Sequence, residues 1–129
     1  MQWLDEDSAD AVFRWSLDGG ATFGPDLKLA DHSCECCRIA LGLGADGVLR
    51  AMWRHVFAPN VRDHAIAALS PTGEAPIVRA TFDEWQVDGC PHHGPGITMA
   101  ASGGYHAVWF GMRAGTAQVS YSKLDQTGH

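Results

Sequence analysis

The chain has 129 residues, which is enough for one globular domain with its own core. Its hydrophobic content of 46% and its charged content of 19% exclude wholesale disorder. Its formal net charge of −6 argues against nucleic-acid binding, which requires a basic surface. No apolar run approaches the roughly 18 residues of a membrane span, and the acidic N-terminus has no apolar signal core. Taken literally, this indicates a cytosolic chain, whereas an export signal upstream in a longer protein would place it outside the cytosol.

Short strands and turns are predicted along the whole chain, because apolar, aromatic and β-branched runs alternate with turns rich in Gly and Pro. No stretch longer than one turn has the 3.6-residue period of a helix. The stretch 42–47 has the glycines of a dinucleotide-binding loop, but strand-like alternation follows it where that motif requires a helix. The fold class is therefore predicted to be all-β. The predicted strands are 11–16, 27–29, 39–43, 48–53, 65–69, 77–80, 97–101, 105–110 and 118–122.

One stretch of the chain occurs twice. The first copy runs from Cys34 to Trp53, and the second, 56 positions later, runs from Cys90 to Trp109. A repeat of this period predicts a propeller or a solenoid, with both tryptophans in the core. Each copy begins with side chains that can be metal ligands or disulfide partners. These are Cys34, Cys36, Cys37, Cys90, His92 and His93.

The segment after the first predicted strand has the chemistry of a tight turn. Asp18 and Gly19 are a strong hairpin signal, and a carboxylate here can accept hydrogen bonds from turn N–H groups. The segment matches the pattern Ser-x-Asp-x-Gly-x-Thr-Phe, which is the Asp box of sialidase-like (BNR-repeat) β-propellers. In this motif, in its Asp-Gly hairpins and in its repeated strand-Trp pattern, the chain resembles that family, in which Asp boxes are structural. The Asp-box residues are Ser16, Asp18, Gly20, Thr22 and Phe23.

The resemblance implies a partial β-propeller built from four-stranded antiparallel blades. Residues 1–30 would end one blade, 31–85 would form a complete blade, and 86–129 would form most of the next blade. This is about two and a half blades of an expected six, and a closed propeller needs about 4–8. The chain would then be a fragment, or an arc that closes by self-association. Residues 123–129 look like an Asp box cut short, which favours a fragment completed by the remaining blades of its parent.

A narrower likeness is to bacterial sialidase-like proteins that carry a Cys-x-Cys-Cys-Arg segment and, further on, a Trp-x-x-x-x-Cys-Pro-His segment. Here the first segment begins at Cys34 and the second at Trp85. Because those proteins are usually exported, the resemblance implies a periplasmic or secreted location. It also implies a ligand on the channel face, either a glycan or another small molecule, and Trp85 is the aromatic candidate to contact it.

Sialidases bind the substrate carboxylate with three arginines, the first in an Arg-Ile-Pro motif. Arg38-Ile39-Ala40 resembles this motif, but it lacks the proline and follows an Asp box instead of preceding one. Arg62 and Asp63, predicted on a loop, are further candidates for ligand contact or catalysis. Glycoside cleavage needs two carboxyl-type groups, or a tyrosine in place of one, and no such set can be assigned. We expect a binding module without a complete catalytic site, and the alternative is part of an exo-α-sialidase.

The first strand of each propeller blade is innermost, so the resemblance would bring the two cysteine-containing segments together at the central channel. Three alternatives follow. The side chains could form a disulfide from Cys34 or Cys37 to Cys90, since a vicinal Cys36–Cys37 bond would be strained. They could hold zinc or copper, because thiolate and imidazole ligands prefer these metals to hard cations. They could also supply a reactive thiol, whose pKa Arg38 or the histidines would lower.

Overall fold

The computed structural model of the protein describes residues 9–34, 37–73, 75–87 and 91–129. Within these ranges it contains nine β-strands and no α-helix, which confirms the all-β prediction. The same residues include no helix of the length and apolarity that crossing a membrane would require. The strands are β1 (Ala9–Phe13), β2 (Leu27–Ser33), β3 (Ala40–Leu43), β4 (Leu49–Arg54), β5 (His64–Ala68), β6 (Val78–Arg79), β7 (Gly96–Met99), β8 (Tyr105–Arg113) and β9 (Thr116–Leu124).

The described strands form three antiparallel sheets that follow one another along the chain. The first sheet contains β1 and β2, the second contains β3 to β6, and the third contains β7 to β9. The three sheets contain two, four and three strands. The sequence predicted the same grouping, with two strands, then four, then about three. In every sheet the neighbours in space are also neighbours in sequence, so each sheet is a simple meander.

The last hairpin is longer than the sequence pattern predicted. β8 and β9 are nine residues each, and their pairing continues to Arg113↔Thr116 beside the turn. The two turn residues, Ala114 and Gly115, have φ values of 49° and 79°. Positive φ at both positions is the backbone of a type I′ turn, whose twist matches that of the flanking strands. The usual Asn or Gly signal is missing at the first position, so the sequence did not reveal the turn.

The second sheet is covered on both faces, because alternate residues of its central strands belong to different cores. In β4, Ala51 and Trp53 pack with residues of the first sheet, whereas Met52 packs with residues of the third. In β5, Ile66 lies on the Met52 side, and the alanines that flank it lie on the Trp53 side. The two-residue period of a strand produces this separation. Both strands are therefore rich in apolar residues on both faces.

Two apolar cores hold the three sheets face to face. Both tryptophans that end the repeated stretch are buried in them, as predicted. Burying one large apolar side chain contributes about 1.5–3 kcal/mol, so these contacts dominate the packing of sheet on sheet. The core between the first and second sheets contains Ala30, Ala51, Trp53, Ala65, Ala67 and Leu69. The core between the second and third sheets contains Met52, Ile66, Ala80, Tyr105, Ala107, Trp109 and Leu124.

The turn between β1 and β2 is organised around the carboxylate of Asp18. Ser16 Oγ donates a hydrogen bond to Asp18 Oδ1 at 2.8 Å, and Thr22 donates its N–H to Oδ1 at 2.9 Å and its hydroxyl to Oδ2 at 2.5 Å. Ser16 Oγ also accepts the N–H of Gly20, whose φ is 93°. These bonds, led by that of the Thr22 hydroxyl, lower the pKa of the exposed Asp18 carboxyl to about 2. Phe23 lies at the surface beside the turn.

A second turn with the same chemistry follows β9. Asp125 Oδ1 accepts the hydroxyl and the N–H of Thr127, at 2.6 and 2.8 Å, and the N–H of His129 at 3.1 Å. The Thr127 hydroxyl is the main cause that lowers the pKa of Asp125 to about 2. In the turn after β5, the hydroxyls of Ser70 and Thr72 share a hydrogen bond of 2.8 Å, and the N–H of Gly73 donates to the carbonyl of Ser70 at 3.0 Å. Turns organised around a carboxylate therefore follow both β1 and β9.

Candidate ligand and thiol site

The two copies of the repeated stretch begin side by side. A Cβ atom on Gly42 of β3 would lie 2.9 Å from Ile97 Cδ1 of β7. Before these strands, a Cβ atom on Gly94 would lie 2.4 Å from the carbonyl oxygen of Arg38, an approach that only glycine permits. The segments that precede β3 and β7 are therefore in direct contact. The described site residues of both copies lie on the surface formed by these two segments or directly beneath it.

Cys34 and Cys37 form a buried pair beneath this surface. Their sulfur atoms are 3.5 Å apart, and the N–H of Cys37 donates to the carbonyl of Cys34 at 3.3 Å. The hydrogen bond between the sulfurs is the main cause that raises the pKa of Cys34 and lowers the pKa of Cys37 to about 6. The charge of Arg54 and the N–H of His93 lower the pKa of Cys37 further, and burial opposes them. The pair therefore stabilises a thiolate on Cys37, with the remaining proton on Cys34.

Arg54, at the end of β4, is only 1% exposed and ties three segments together. It donates hydrogen bonds to the carbonyl oxygens of Arg62 at 2.6 Å, Phe110 at 2.7 Å and His93 at 3.1 Å. Its guanidinium also lies 5.2 Å from the ring centroid of Trp85, a cation–π distance. Burial lowers the pKa of Arg54, and the neighbouring sulfurs counteract this. Arg54 thus places a buried positive charge next to the thiol pair.

Arg62 is a second fully buried arginine at the thiol pair. Its Nη1 is 3.5 Å from Cys34 Sγ, and its Nε donates to the carbonyl of Val87 at 2.9 Å and to Asn60 Oδ1 at 3.3 Å. The sequence placed Arg62 on a loop as a candidate for ligand contact. The structure places its guanidinium inside the protein, where it holds neighbouring loops and faces a cysteine sulfur.

An open pocket lies on the surface above the thiol pair. Its volume is about 260 Å³, and Arg38, His92 and His93 are exposed around it. The ring of Phe110 forms one wall, with its centroid 4.3 Å from that of His93 and 5.8 Å from that of Trp85. Gly94 and Pro95 complete the lining. The pocket therefore combines a guanidinium and two imidazoles with an aromatic wall.

Two described carboxylates near the site, those of Asp63 and Asp83, are buried and have protein partners. Asp63 Oδ2 accepts hydrogen bonds from Arg79 Nη2 at 2.7 Å and from the N–H of Glu84 at 2.9 Å. Asp83 accepts a hydrogen bond of 2.9 Å from Trp109 Nε1 and another from a surface arginine. These contacts attach the loop before the second repeat copy to β5, β6 and β8. In this arrangement both carboxylates position the loop.

The structure describes four of the six side chains considered as metal ligands or disulfide partners. Cys36 and Cys90 fall outside the described residues, and each of the disulfides that were considered includes one of these two cysteines. In the described part of the chain no disulfide is formed, and no group of three or more His, Cys, Asp or Glu side chains is placed to hold a metal ion. His92 and His93 point their side chains toward the surface pocket, and only the backbone of His93 reaches Cys37.

The sequence interpretation missed Arg54, which contacts the backbone of three separate segments at the site. The signal was present but ambiguous. Arg54 ends a strand of apolar residues, and the two-residue period puts it on the buried face of Met52. A buried arginine requires acceptors, and those of Arg54 are backbone carbonyls, which no sequence pattern marks.

A scan against protein-family models, a search of curated proteins and a search of solved structures each found no significant match to this chain. The chemistry of the site therefore rests on its own residues and geometry.

Acidification is expected to destabilise the protein, because His64 is buried as a neutral imidazole. Burial, assisted by the charge of Arg54, lowers the pKa of His64 to about 3. Since an unfolded histidine has a pKa of about 6.5, the unfolded state binds more protons below that pH, and stability falls between about pH 6.5 and 3. His64 alone should cost about 2 kcal/mol at pH 5 relative to pH 7.5. Burial also lowers the pKa of His55, to about 4, in the same direction.

Urea unfolding at pH 7.5 and pH 5 measures this effect. His64→Gln should reduce the loss of stability between the two pH values, and His129→Gln, at an exposed position, should leave it unchanged. Equal pH dependence in the His64→Gln variant and the unmodified protein would contradict the assignment.

Proposed function

We propose that this chain is a ligand-binding module of the sialidase-like Asp-box propeller type, which binds a small anionic ligand such as an acidic sugar in the pocket of Arg38, His92 and His93. The observation that carries the proposal is this pocket, formed where the two repeat copies meet. The stacking of three successive meander sheets supports the propeller assignment. The carboxylate-centred turns, which have Asp-box chemistry around Asp18 and Asp125, support it as well.

The charge of the pocket favours an anion. The chain as a whole has a formal charge of −6, yet the described residues that line the pocket include an arginine and two histidines and no acidic residue. The buried guanidiniums of Arg54 and Arg62 lie beneath it and add positive potential. An exposed arginine such as Arg38 can make a bidentate, charge-assisted pair with a carboxylate. The wall of Phe110 offers an apolar surface for the less polar face of a sugar ring.

The same lining supports binding rather than hydrolysis. Glycosidases place two carboxyl-type groups, or a tyrosine and a carboxyl group, across the bond that is cleaved. The described lining of the pocket contains neither a carboxylate nor a tyrosine. Asp63 and Asp83 are buried and accept hydrogen bonds from protein donors. An exo-α-sialidase would require catalytic groups from other parts of a larger protein, and hydrolysis of a fluorogenic sialoside by this chain would favour that alternative.

Removing the Arg38 guanidinium should weaken binding of an acidic sugar. A charge-assisted hydrogen-bonded pair contributes about 1.5–3 kcal/mol, so Arg38→Ala should raise the Kd about 10–100-fold. The measurement is an NMR or calorimetric titration with N-acetylneuraminate and glucuronate, each compared with a neutral sugar of similar size.

Arg14→Ala is the matched control, because Arg14 is an exposed arginine beside the first sheet, paired with Asp26 and remote from the pocket residues. It should bind as the unmodified chain does. Equal affinity for the acidic and neutral sugars, or no effect of Arg38→Ala, would refute the proposal.

A further inference from the structure

Cys34 and Cys37 are placed so that a disulfide can join them. Their sulfur atoms are 3.5 Å apart, and a disulfide requires an approach to about 2.05 Å. The N–H of Cys37 donates to the carbonyl of Cys34, which closes a turn and keeps the two Cα atoms within about 7 Å of each other. Disulfides join cysteines whose Cα atoms are about 4.4–6.8 Å apart. Rotation of the two side chains can therefore form the bond while the turn is kept.

The charges around the pair favour a reactive thiolate. Arg54 and the N–H of His93 both donate toward Cys37 Sγ. Arg62 Nη1 lies 3.5 Å from Cys34 Sγ. Both arginines are buried, so salt and water screen their charges weakly. The thiolate is the nucleophilic form of cysteine, and neighbouring cations favour it. Each of the two sulfurs therefore has a cation close enough to stabilise a negative charge on it.

The burial of the pair restricts the oxidants that can reach it. Cys37 is 8% exposed and Cys34 is 4% exposed, so Cys37 is the more accessible residue of the two. The backbone of His93, which lines the open surface pocket, contacts Cys37 directly. Hydrogen peroxide is little larger than a water molecule. A peptide disulfide such as oxidised glutathione would have to displace the loops that Arg54 and Arg62 hold in place. The site therefore suits a small hydroperoxide.

We infer that Cys34 and Cys37 form a site of reversible oxidation by hydrogen peroxide, in which Cys37 attacks the peroxide and Cys34 resolves the product into a disulfide. Cys37 takes the first role because it is the more exposed residue and receives the hydrogen bonds of Arg54. The site is independent of the proposed sugar pocket, because the reaction uses none of the side chains that were assigned to the sugar.

The reaction has two steps. The Cys37 thiolate attacks one oxygen of the peroxide, so that a sulfur–oxygen bond forms, the oxygen–oxygen bond breaks, and the hydroxide that leaves takes a proton from solvent. Cys34 then attacks the oxidised sulfur. The sulfur–sulfur bond forms, the sulfur–oxygen bond breaks, and the departing hydroxide leaves as water with the proton of Cys34. Two thiols are oxidised to one disulfide while one peroxide is reduced to water, and an external thiol reverses the change by exchange.

The test treats the reduced full-length chain with a small excess of hydrogen peroxide at pH 7, blocks the remaining thiols and maps the linkages by mass spectrometry. Cys34 should be linked to Cys37, and dithiothreitol should restore both thiols. Cleavage after Glu35 separates the two cysteines, so the linkage appears as a joined pair of peptides. Persistence of both thiols, or a disulfide from either cysteine to Cys36 or Cys90, would overturn the inference. Equally fast oxidation by glutathione disulfide would overturn the choice of peroxide.

Serine variants separate the roles of the two sulfurs. Cys36→Ser/Cys90→Ser leaves Cys34 and Cys37 as the only cysteines and should form the disulfide within about threefold of the unmodified rate. Adding Cys34→Ser should stop the reaction at a sulfenic acid on Cys37, which dimedone traps. Adding Cys37→Ser instead should slow oxidation about 100-fold or more.

A dimedone adduct on Cys34 in the variant that lacks Cys37 would contradict the assigned roles. If the double variant fails to fold, fragmentation of the joined peptides from the unmodified chain distinguishes Cys37 from Cys36 and decides the linkage.

Discussion

Replacing Arg54 by leucine should lower the free energy of unfolding by about 3–5 kcal/mol, the cost typical of removing one partner from a buried charged network. The leucine would leave the carbonyl groups of Arg62, His93 and Phe110 without this donor. Each buried acceptor left without a partner costs about 1–3 kcal/mol. The variant also removes the positive charge beside Cys37, so the thiol should react more slowly with a disulfide reagent at pH 7 in the folded state.

Urea denaturation at pH 7.5 measures this loss of stability. The matched control is Arg14→Leu, which removes an arginine whose ion pair with Asp26 is exposed to solvent and should change stability little. Arg54→Lys keeps the charge but cannot reach three carbonyl groups, and it should fall between the two variants. A loss below about 1 kcal/mol in Arg54→Leu would mean that water replaces the guanidinium and that the site is less closed than its burial indicates.

The second large effect is expected at the turn between β7 and β8. Gly104 has a φ of 76°, and a Cβ atom there would lie 2.1 Å from the carbonyl oxygen of Leu124. Gly104→Ala should therefore cost more than about 3 kcal/mol, since the left-handed backbone alone costs an alanine about 1–2 kcal/mol and the contact with a carbonyl group must also be relieved. The shift would also disturb Tyr105, which is fully buried in the core between the second and third sheets.

Gly103→Ala is the control for this variant, because Gly103 has a similar φ of 92° but its nearest neighbour would be Gln126 Nε2 at 3.5 Å. It should show only the backbone cost of about 1–2 kcal/mol. Thermal or urea unfolding of both variants measures the difference. If they lose equal stability, the approach of Leu124 to Gly104 does not matter energetically.

The order of the strands and the turn around Asp18 could be predicted from the sequence because their causes are local. Alternation and turn residues defined the order of the strands, and the spacing of Ser16, Asp18 and Thr22 defined a turn whose hydrogen bonds all close within the motif. The repeat, together with the propeller resemblance, also predicted that the segments around Arg38 and His93 lie together. These segments are in contact in the structure.

The interior of the site could not be predicted because its partners are distant in sequence. Arg54 is 39 residues from His93 and 56 from Phe110, and it binds the backbone of both. Arg62 reaches Val87 across 25 residues, and its burial contradicts the usual exposure of an arginine in a loop. Which side of a loop is buried depends on how the sheets stack, and backbone acceptors are present at every position of a chain. Composition and spacing carry no information about either.

The shared faces of the second sheet also determine how stability is distributed along the molecule. In the part of the chain that the structure describes, three sheets and two apolar cores form a one-dimensional stack, in which each core joins sheets that are neighbours in sequence. In such a stack, stability is the sum of terms for single units and terms for the junctions between them. The second sheet takes part in both junctions. Loss of either outer sheet would uncover a whole apolar face of the second, so the three sheets behave as coupled units instead of independent ones.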